Sequence, residues 1–186
     1  MNDDVFEVLH RDHEEVRTLL AQLEDGPVGA TPEQRKTLTE QMVMAESRHE
    51  AVEEQYFWPA VREQGERGEQ VAATAVGQEQ EAKQVLAQLD KLDPADADFV
   101  SLLTGFIADA REHIAYEEDN AWPLLRAGLS DEQARELGSK IAKAKESAPT
   151  RPHPHTPPNE TVLKTAGPGV AVADKLRDAA TGRGES

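Results

Sequence analysis

Long segments of the chain carry apolar residues at steps of three and four positions, and short stretches rich in Gly, Pro and Asp separate these segments. This spacing puts the apolar side chains on one face of an α-helix, so the sequence predicts amphipathic helices that pack around a common core. The first helix is predicted to end near residues 25–27. The second runs toward Gly65, the third covers about 68–92, and the fourth covers about 96–128.

Each predicted helix has an inward face that is mostly apolar. Helix one offers Val5, Phe6, Leu9, Val16, Leu19, Leu20 and Leu23, helix two offers Leu38, Met42, Ala45, Val52, Tyr56 and Ala60, helix three offers Val71, Ala72, Ala75, Ala82, Val85, Leu86 and Leu89, and helix four offers Phe99, Leu102, Leu103, Phe106, Ala110 and Leu124. Four such faces predict an all-α fold, an up-and-down four-helix bundle over residues 1–128.

Two helix starts are marked by capping boxes. Thr31 and Gln34 open helix two, and Ser130 and Gln133 open a short fifth helix over 129–147. In such a box the hydroxyl and the amide side chain satisfy backbone N–H groups that the first helical turn leaves unpaired.

The segment 148–186 is rich in Pro, Gly, Thr and charge. It contains too few large apolar residues to offset the entropy of ordering, so we expect a mostly disordered tail, with one weak helix over 170–180 that docks on the bundle. His153 and His155 in this segment are interpreted as solvated spacers in a proline-rich linker, although the pair could bind a metal.

Helices two and four repeat one unit. Residues 49–54 (HEAVEE) match residues 113–118 (HIAYEE), and Trp-Pro pairs follow at 58–59 and 122–123 with the same offset. The indoles are expected to close one end of the core. A fainter match relates helices one and three, so the bundle is predicted to consist of two similar helical hairpins.

Polar side chains interrupt all four inward faces: His13, His49, Glu53, Glu79, His113 and Glu117. A helix places residues four positions apart on one face, so the His and the Glu of each H-x-x-x-E unit can reach the same interior point. Burying several ionisable groups in an apolar core is prohibitively costly unless a cation compensates them. The sequence therefore predicts a dinuclear metal site between the four helices.

Neighbouring polar residues have simpler interpretations. Glu54 and Glu118 are expected to be exposed charges, Glu50 could be solvated, and His10 is expected at the surface or beside a ligand. A single H-x-x-x-E unit would also be weak evidence for a metal, because that spacing is common on exposed helices.

Composition excludes several classes of function. The chain has 36 acidic and 20 basic residues and a net charge of -16, which disfavours nucleic acid and anionic membranes as partners. It has no cysteine, which excludes thiolate metal sites and Fe–S clusters and leaves His and carboxylate as ligands. No signal peptide or membrane-spanning run is recognisable, so a cytoplasmic location is expected.

Through Asp12-His13 and the two H-x-x-x-E units, the sequence resembles the hemerythrin-like, HHE cation-binding family over about residues 3–127. The resemblance implies a bundle that binds two non-haem iron ions, oxo- or hydroxo-bridged, with Glu53 and Glu117 as bridging carboxylates. His13, His49 and His113 match the family's pattern. Its usual His on helix three is replaced by Glu79, and Glu50 resembles an additional carboxylate ligand of some iron-sensing members.

The full expected ligand set is therefore His13, His49, Glu50, Glu53, Glu79, His113 and Glu117. The resemblance implies reaction with a small diatomic ligand or peroxide, in stress protection or iron handling. The alternative is a non-enzymatic iron or oxygen sensor whose fold depends on metal and whose acidic surface or tail contacts a protein partner. A bundle that binds zinc, or no metal, is a third possibility, since zinc competes well for such ligands.

Overall fold

The computed structural model describes residues 3–25, 31–155 and 160–181, and helices make up its regular structure. The segments are α1 (Val5–Asp25), α2 (Pro32–Val52), a π-helical turn π1 (Glu53–Phe57), α3 (Trp58–Arg62), α4 (Glu66–Leu89), α5 (Ala97–Tyr116), a second π-helical turn π2 (Glu117–Ala121), α6 (Trp122–Gly128), α7 (Asp131–Lys145) and α8 (Glu160–Thr181). Over these residues no β-strand is present, which confirms the predicted all-α class.

Four rods form the bundle. They are α1, the continuous unit α2–π1–α3, the helix α4, and the continuous unit α5–π2–α6. Each rod packs against its neighbours around the ring: α1 contacts α2 and α5, and α4 contacts α2, α3 and α5. The predicted four-helix bundle is therefore confirmed.

The two repeated units share an unusual backbone feature. In each, an α-helix changes to one π-helical turn at the glutamate of the H-x-x-x-E unit, and the α-helix resumes at the Trp-Pro pair. The Trp58 N–H accordingly donates to the Glu53 carbonyl, and the Trp122 N–H donates to the Glu117 carbonyl. Proline has no N–H and its ring clashes with the carbonyl four residues earlier, so Pro59 and Pro123 favour a local change of hydrogen-bond register.

The π turns correct the predicted inward faces. A π turn takes up one residue more than an α turn, so the buried positions beyond it move by one. Tyr56 and Leu124, both predicted to be inward, are only half-buried. Their successors in the chain, Phe57 and Leu125, are fully buried.

Both predicted capping boxes are present. Thr31 and Ser130 each accept a hydrogen bond from the backbone N–H three residues later, and the Gln at that position bonds the cap's own N–H. The fifth helix α7 packs along α1 and α2. Its close approach depends on Gly138, because a Cβ there would lie 2.6 Å from the Asp3 carbonyl oxygen.

The structure describes part of the C-terminal segment. The weak helix expected over 170–180 is present as part of the longer α8, which contacts π1. Thr150 and Asp178 form a buried hydrogen bond, and Arg151 pairs with Asp178 at 2.8 Å. These polar contacts hold the part of the tail that the structure describes, where apolar content alone predicted little order. Residues 156–159 and 182–186, to which that expectation also applied, lie outside the described residues.

Across the described ranges, none of the helices combines the length and the apolar character needed to cross a bilayer.

Candidate metal centre

A polar layer divides the bundle core into two apolar clusters. One cluster contains Val5, Leu9, Val52, Phe57, Val71 and Leu125, and the other contains Val16, Leu20, Met42, Leu86, Phe99 and Ile114. The layer between them consists of His13, His49, Glu53, Glu79, His113 and Glu117, of which all but His113 are classed as buried. The predicted convergence of polar groups from four helices is therefore present.

These side chains form two groups with the composition of metal sites. His13, His49, Glu53 and Glu117 offer ligand atoms that all lie within 4.8 Å of one another. Glu53, Glu79, His113 and Glu117 meet the same criterion. Because both groups contain Glu53 and Glu117, these two carboxylates lie between two positions at which a cation could sit.

The hydrogen-bonding state of the layer fits cation binding. Both oxygens of Glu53, Oε1 of Glu117, Oε2 of Glu79, Nε2 of His49 and Nε2 of His113 are buried without a hydrogen-bond partner among the described residues. Buried polar atoms are normally satisfied, and leaving one unsatisfied costs about 1 to 3 kcal/mol. Metal ligands need lone pairs that are not used in hydrogen bonds, and these buried oxygen and nitrogen atoms provide them.

The distances within each H-x-x-x-E unit support this arrangement. Nε2 of His49 lies 3.3 Å from Oε2 of Glu53, and Nε2 of His113 lies 2.9 Å from Oε1 of Glu117. Nε2 of His13 lies 3.1 Å from Oε2 of Glu117. All three imidazoles therefore direct Nε2 toward the shared carboxylates.

The opposite ring nitrogens of His13 and His113 donate to acceptors that fix the orientation of these two imidazoles. Nδ1 of His13 donates to Glu118 Oε1 at 2.9 Å, and Nδ1 of His113 donates to Gln78 Oε1 at 2.9 Å. Nδ1 of His49 faces Asp12 Oδ2 at 3.7 Å. An acceptor at Nδ1 leaves the Nε2 lone pair free to coordinate a metal and makes the imidazole a better donor.

The expectation that Glu54 and Glu118 are exposed charges is wrong. Glu118 bonds His13 and forms an ion pair with Arg17 at 2.7 Å. Glu54 is buried and accepts hydrogen bonds from Lys83 and Gln80. The π turns start one residue before each of these glutamates and rotate them inward relative to a regular α-helix, which sequence periodicity does not reveal.

The two tryptophans contact the polar layer as well as closing the core. Trp58 Nε1 donates to Oε1 of Glu79, which fixes one carboxylate oxygen of that side chain. The Trp122 ring stacks on the His13 imidazole at 5.3 Å between centroids. The tryptophans of the repeated Trp-Pro pairs thus position Glu79 on α4 and His13 on α1.

Burial and mutual repulsion act on the carboxylates of the layer. Burial, with the neighbouring carboxylates of Glu117 and Glu79, raises the pKa of Glu53 well above its usual range. Burial, with the nearby Glu54, does the same to the pKa of Glu79. A carboxylic acid whose charged form is this unfavourable gains from a cation nearby.

The third carboxylate behaves differently. Burial alone would raise the pKa of Glu117, but His113 and His13 outweigh it and hold that pKa well below its usual value. Burial would lower the pKa of His113, and Glu117 instead raises it to about 9. Glu117 and His113 therefore each favour the charged form of the other, and a cation that binds Nε2 of His113 competes with a proton there.

Buried carboxyl groups outnumber buried lysines in the bundle. Seven carboxyl side chains of the bundle are buried: Asp12, Glu46, Glu50, Glu53, Glu54, Glu79 and Glu117. Among the described residues, Lys83 is the one buried side chain with a permanent positive charge. One lysine cannot balance seven acids, so the interior is suited to hold further cations.

The remaining candidates lie outside the two groups. Glu50 is buried but belongs to neither group. His10 is exposed and lies beside Trp122 rather than on the ligands. His153 bonds Asp174 at 2.9 Å and His155 is exposed, so neither reaches the layer.

Sequence reasoning missed Glu46, Gln78 and Lys83. Glu46 is buried on α2 next to the predicted Ala45, Gln78 orients His113, and Lys83 neutralises Glu54. Gln78 and Lys83 lie one residue before Glu79 and four after it, so a search of the turns around that glutamate could have found them. No sequence signal distinguished Glu46 from a solvated acid.

Comparison with known proteins adds to this geometry. The family model described as the Hemerythrin HHE cation binding domain matches residues 4–125. The crystal structure of a Hemerythrin HHE cation binding domain-containing protein from Mycobacterium kansasii superposes with a TM-score of 0.65 at 20% identity, covering 92% of this chain and 99% of that one. A search of curated proteins found no match.

Proposed function

Because the chain belongs to the hemerythrin HHE cation-binding family, we propose that its bundle binds two non-haem iron ions and reacts with oxygen, peroxide or nitric oxide. The proposed role is stress protection or iron handling in the cytoplasm. One observation carries the proposal: two groups of four ligands share Glu53 and Glu117. Carboxylate ligands that bridge a pair of iron ions inside a four-helix bundle are a recurrent arrangement.

The proposed ligands are His13, His49, Glu53, Glu79, His113 and Glu117. Bound iron supplies the one-electron redox chemistry that amino-acid side chains lack. The protein's own contribution is to hold the imidazoles of His13 and His113 through Glu118 and Gln78, and to cover the layer with apolar clusters on both sides. Glu50, also predicted as a ligand, is in neither group and is considered below.

The ligand chemistry favours reaction over oxygen carriage. Three imidazoles and three carboxylates make a more anionic set than one built mainly from histidine. Anionic oxygen donors favour the harder ferric state, so the reduced protein should oxidise rapidly in air. Stopped-flow mixing of the reduced protein with oxygen tests this expectation. Reversible uptake and release of oxygen by the wild-type chain would instead indicate carriage.

The ligand assignment is tested by replacing single histidines. His49→Ala and His113→Ala should each lose bound iron and lower the melting temperature by about 5 to 10 °C, since metal that binds only the folded state stabilises it. The matched control is His10→Ala, which removes an exposed imidazole outside both groups and should keep its iron. Unchanged iron content in both ligand variants would refute the assignment.

A second function, an iron or oxygen sensor, is favoured by the surroundings of π1. Helices α7 and α8 both contact this turn, which begins with the proposed ligand Glu53. Lys145 of α7 also bonds Asp12, which faces His49. A change of metal state could therefore alter how α7 and α8 pack. Metal-dependent folding without turnover of oxygen, peroxide or nitric oxide would favour this alternative.

A further inference from the structure

A cavity of about 260 Å³ lies between α2, α4 and α5 and runs from the surface toward the polar layer. Its outer part is formed by the exposed acids Glu81, Asp109 and Glu112. Its inner part is formed by the buried acids Glu46 and Glu50. The His113 ring, which belongs to the second ligand group, also lines the cavity.

Glu50 is the residue that indicates a ligand. Its side chain is only 2% exposed, and its Oε2 atom is buried without a hydrogen-bond partner among the described residues. Because Glu46 lies four residues earlier on α2, the two carboxylates share one face of that helix, one turn apart. Two neighbouring buried carboxylates, one with an unsatisfied oxygen, are a poor arrangement for a core without a cation.

Acidic side chains predominate in the cavity wall. The residues that line it include five acids and no lysine or arginine. A cleft lined by charges of one sign concentrates counter-ions and speeds their association. Lys83 lies near Glu50 but is not part of the wall, and Glu54 takes its ammonium group. Lys83 therefore offsets part of the charge of Glu50, and the other four acids of the wall have no lysine or arginine beside them in it.

We infer that Glu46 and Glu50 form a separate binding site for a divalent metal cation, at the inner end of the acidic cavity and on the route to the polar layer. Carboxylate oxygens at this site suit hard and borderline cations such as Mn²⁺ and Fe²⁺. The inference extends the proposed function, because cations bound there lie next to His113. It also explains why Glu50 is buried and acidic although it belongs to neither four-ligand group.

The test is a titration of the full-length protein with Mn²⁺, followed by the decrease in the electron paramagnetic resonance signal of free Mn²⁺. Metal already present in the purified protein is measured first. The test variant is Glu46→Gln, which keeps the shape of the side chain, removes its charge and changes no member of either four-ligand group. The control is Glu136→Gln, which makes the same charge change at an exposed position on α7.

The wild-type chain and Glu136→Gln should bind one Mn²⁺ more per chain than Glu46→Gln, and all three proteins should contain the same amount of metal on purification. Equal Mn²⁺ binding in the wild type and Glu46→Gln would overturn the inference. So would a loss of purified metal content in Glu46→Gln, because the acid would then belong to the centre itself. A different result would refute the proposed function: an iron content that is unchanged in His49→Ala and His113→Ala.

Discussion

At the scale of single residues, the centre depends on side chains that hold the ligands as much as on the ligands themselves. Glu118 shows this most clearly, because it accepts from Nδ1 of His13 and pairs with Arg17. Arg17 also pairs with Glu14 at 2.8 Å, so the two glutamates share one partner. Of these two glutamates, Glu118 is the one that bonds a proposed ligand.

Replacing Glu118 by Ala should weaken metal binding by roughly 10- to 100-fold, the usual cost of losing the acceptor behind a metal-bound histidine. The control Glu14→Ala removes the other ion pair of Arg17 and should leave affinity unchanged. Competition with a chelator of known affinity measures both variants. Equal affinities in Glu118→Ala and Glu14→Ala would show that the contact with His13 has no influence on the metal.

The residues of the polar layer could be predicted because they interrupt regular apolar stripes. His13, Glu79 and the two H-x-x-x-E units each occupy a position where the helical period calls for an apolar side chain, and all are found in the polar layer. Glu118 and Glu54 could not be predicted in the same way. Their inward rotation depends on a change of hydrogen-bond register. A hydrophobic pattern cannot reveal that change at positions occupied by charged residues.

At the scale of elements, the error in the inward faces has one cause. The prediction assumed an unbroken α-helix through each Trp-Pro pair, whereas one π turn precedes each pair. That single additional residue explains why Phe57 and Leu125 are fully buried and Tyr56 and Leu124 are not. Because the same change occurs at both copies of the repeat, it places Glu53 and Glu117 alike.

The contribution of the C-terminal helix α8 can be tested by deletion. Deleting every residue after Ala148 should leave iron content unchanged, because all six proposed ligands precede that point. Stability should fall by a few degrees, since α8 would no longer contact π1 and Arg151 would no longer pair with Asp90. Metal analysis and thermal unfolding measure the two effects. The control is a chain that lacks only residues 182–186.

Loss of iron in the longer deletion, but not in the control, would contradict this prediction. It would show that α8 completes or covers the centre through π1. That outcome would favour the sensor alternative, in which packing of the tail and occupancy of the metal site depend on each other.

At the scale of the whole molecule, the fold and the charge of its interior are two parts of one arrangement. Apolar clusters on both sides of the polar layer hold the four rods together, and among the described residues of the bundle seven buried acids outnumber one buried lysine. A bundle this acidic at its centre should gain stability from each cation it binds. The sequence could predict the bundle from its apolar stripes, but it could not show that Glu46 and Glu50 line a cavity, because that depends on the packing of three helices.

The central claim is that this bundle holds two iron ions that share Glu53 and Glu117. The most direct measurement is elemental analysis of the full-length protein, produced with iron supplied and purified in air without a chelator. The account predicts about two iron atoms per chain, as expected for a carboxylate-bridged pair in a four-helix bundle. Stoichiometric zinc without iron, or a single iron per chain, would contradict it.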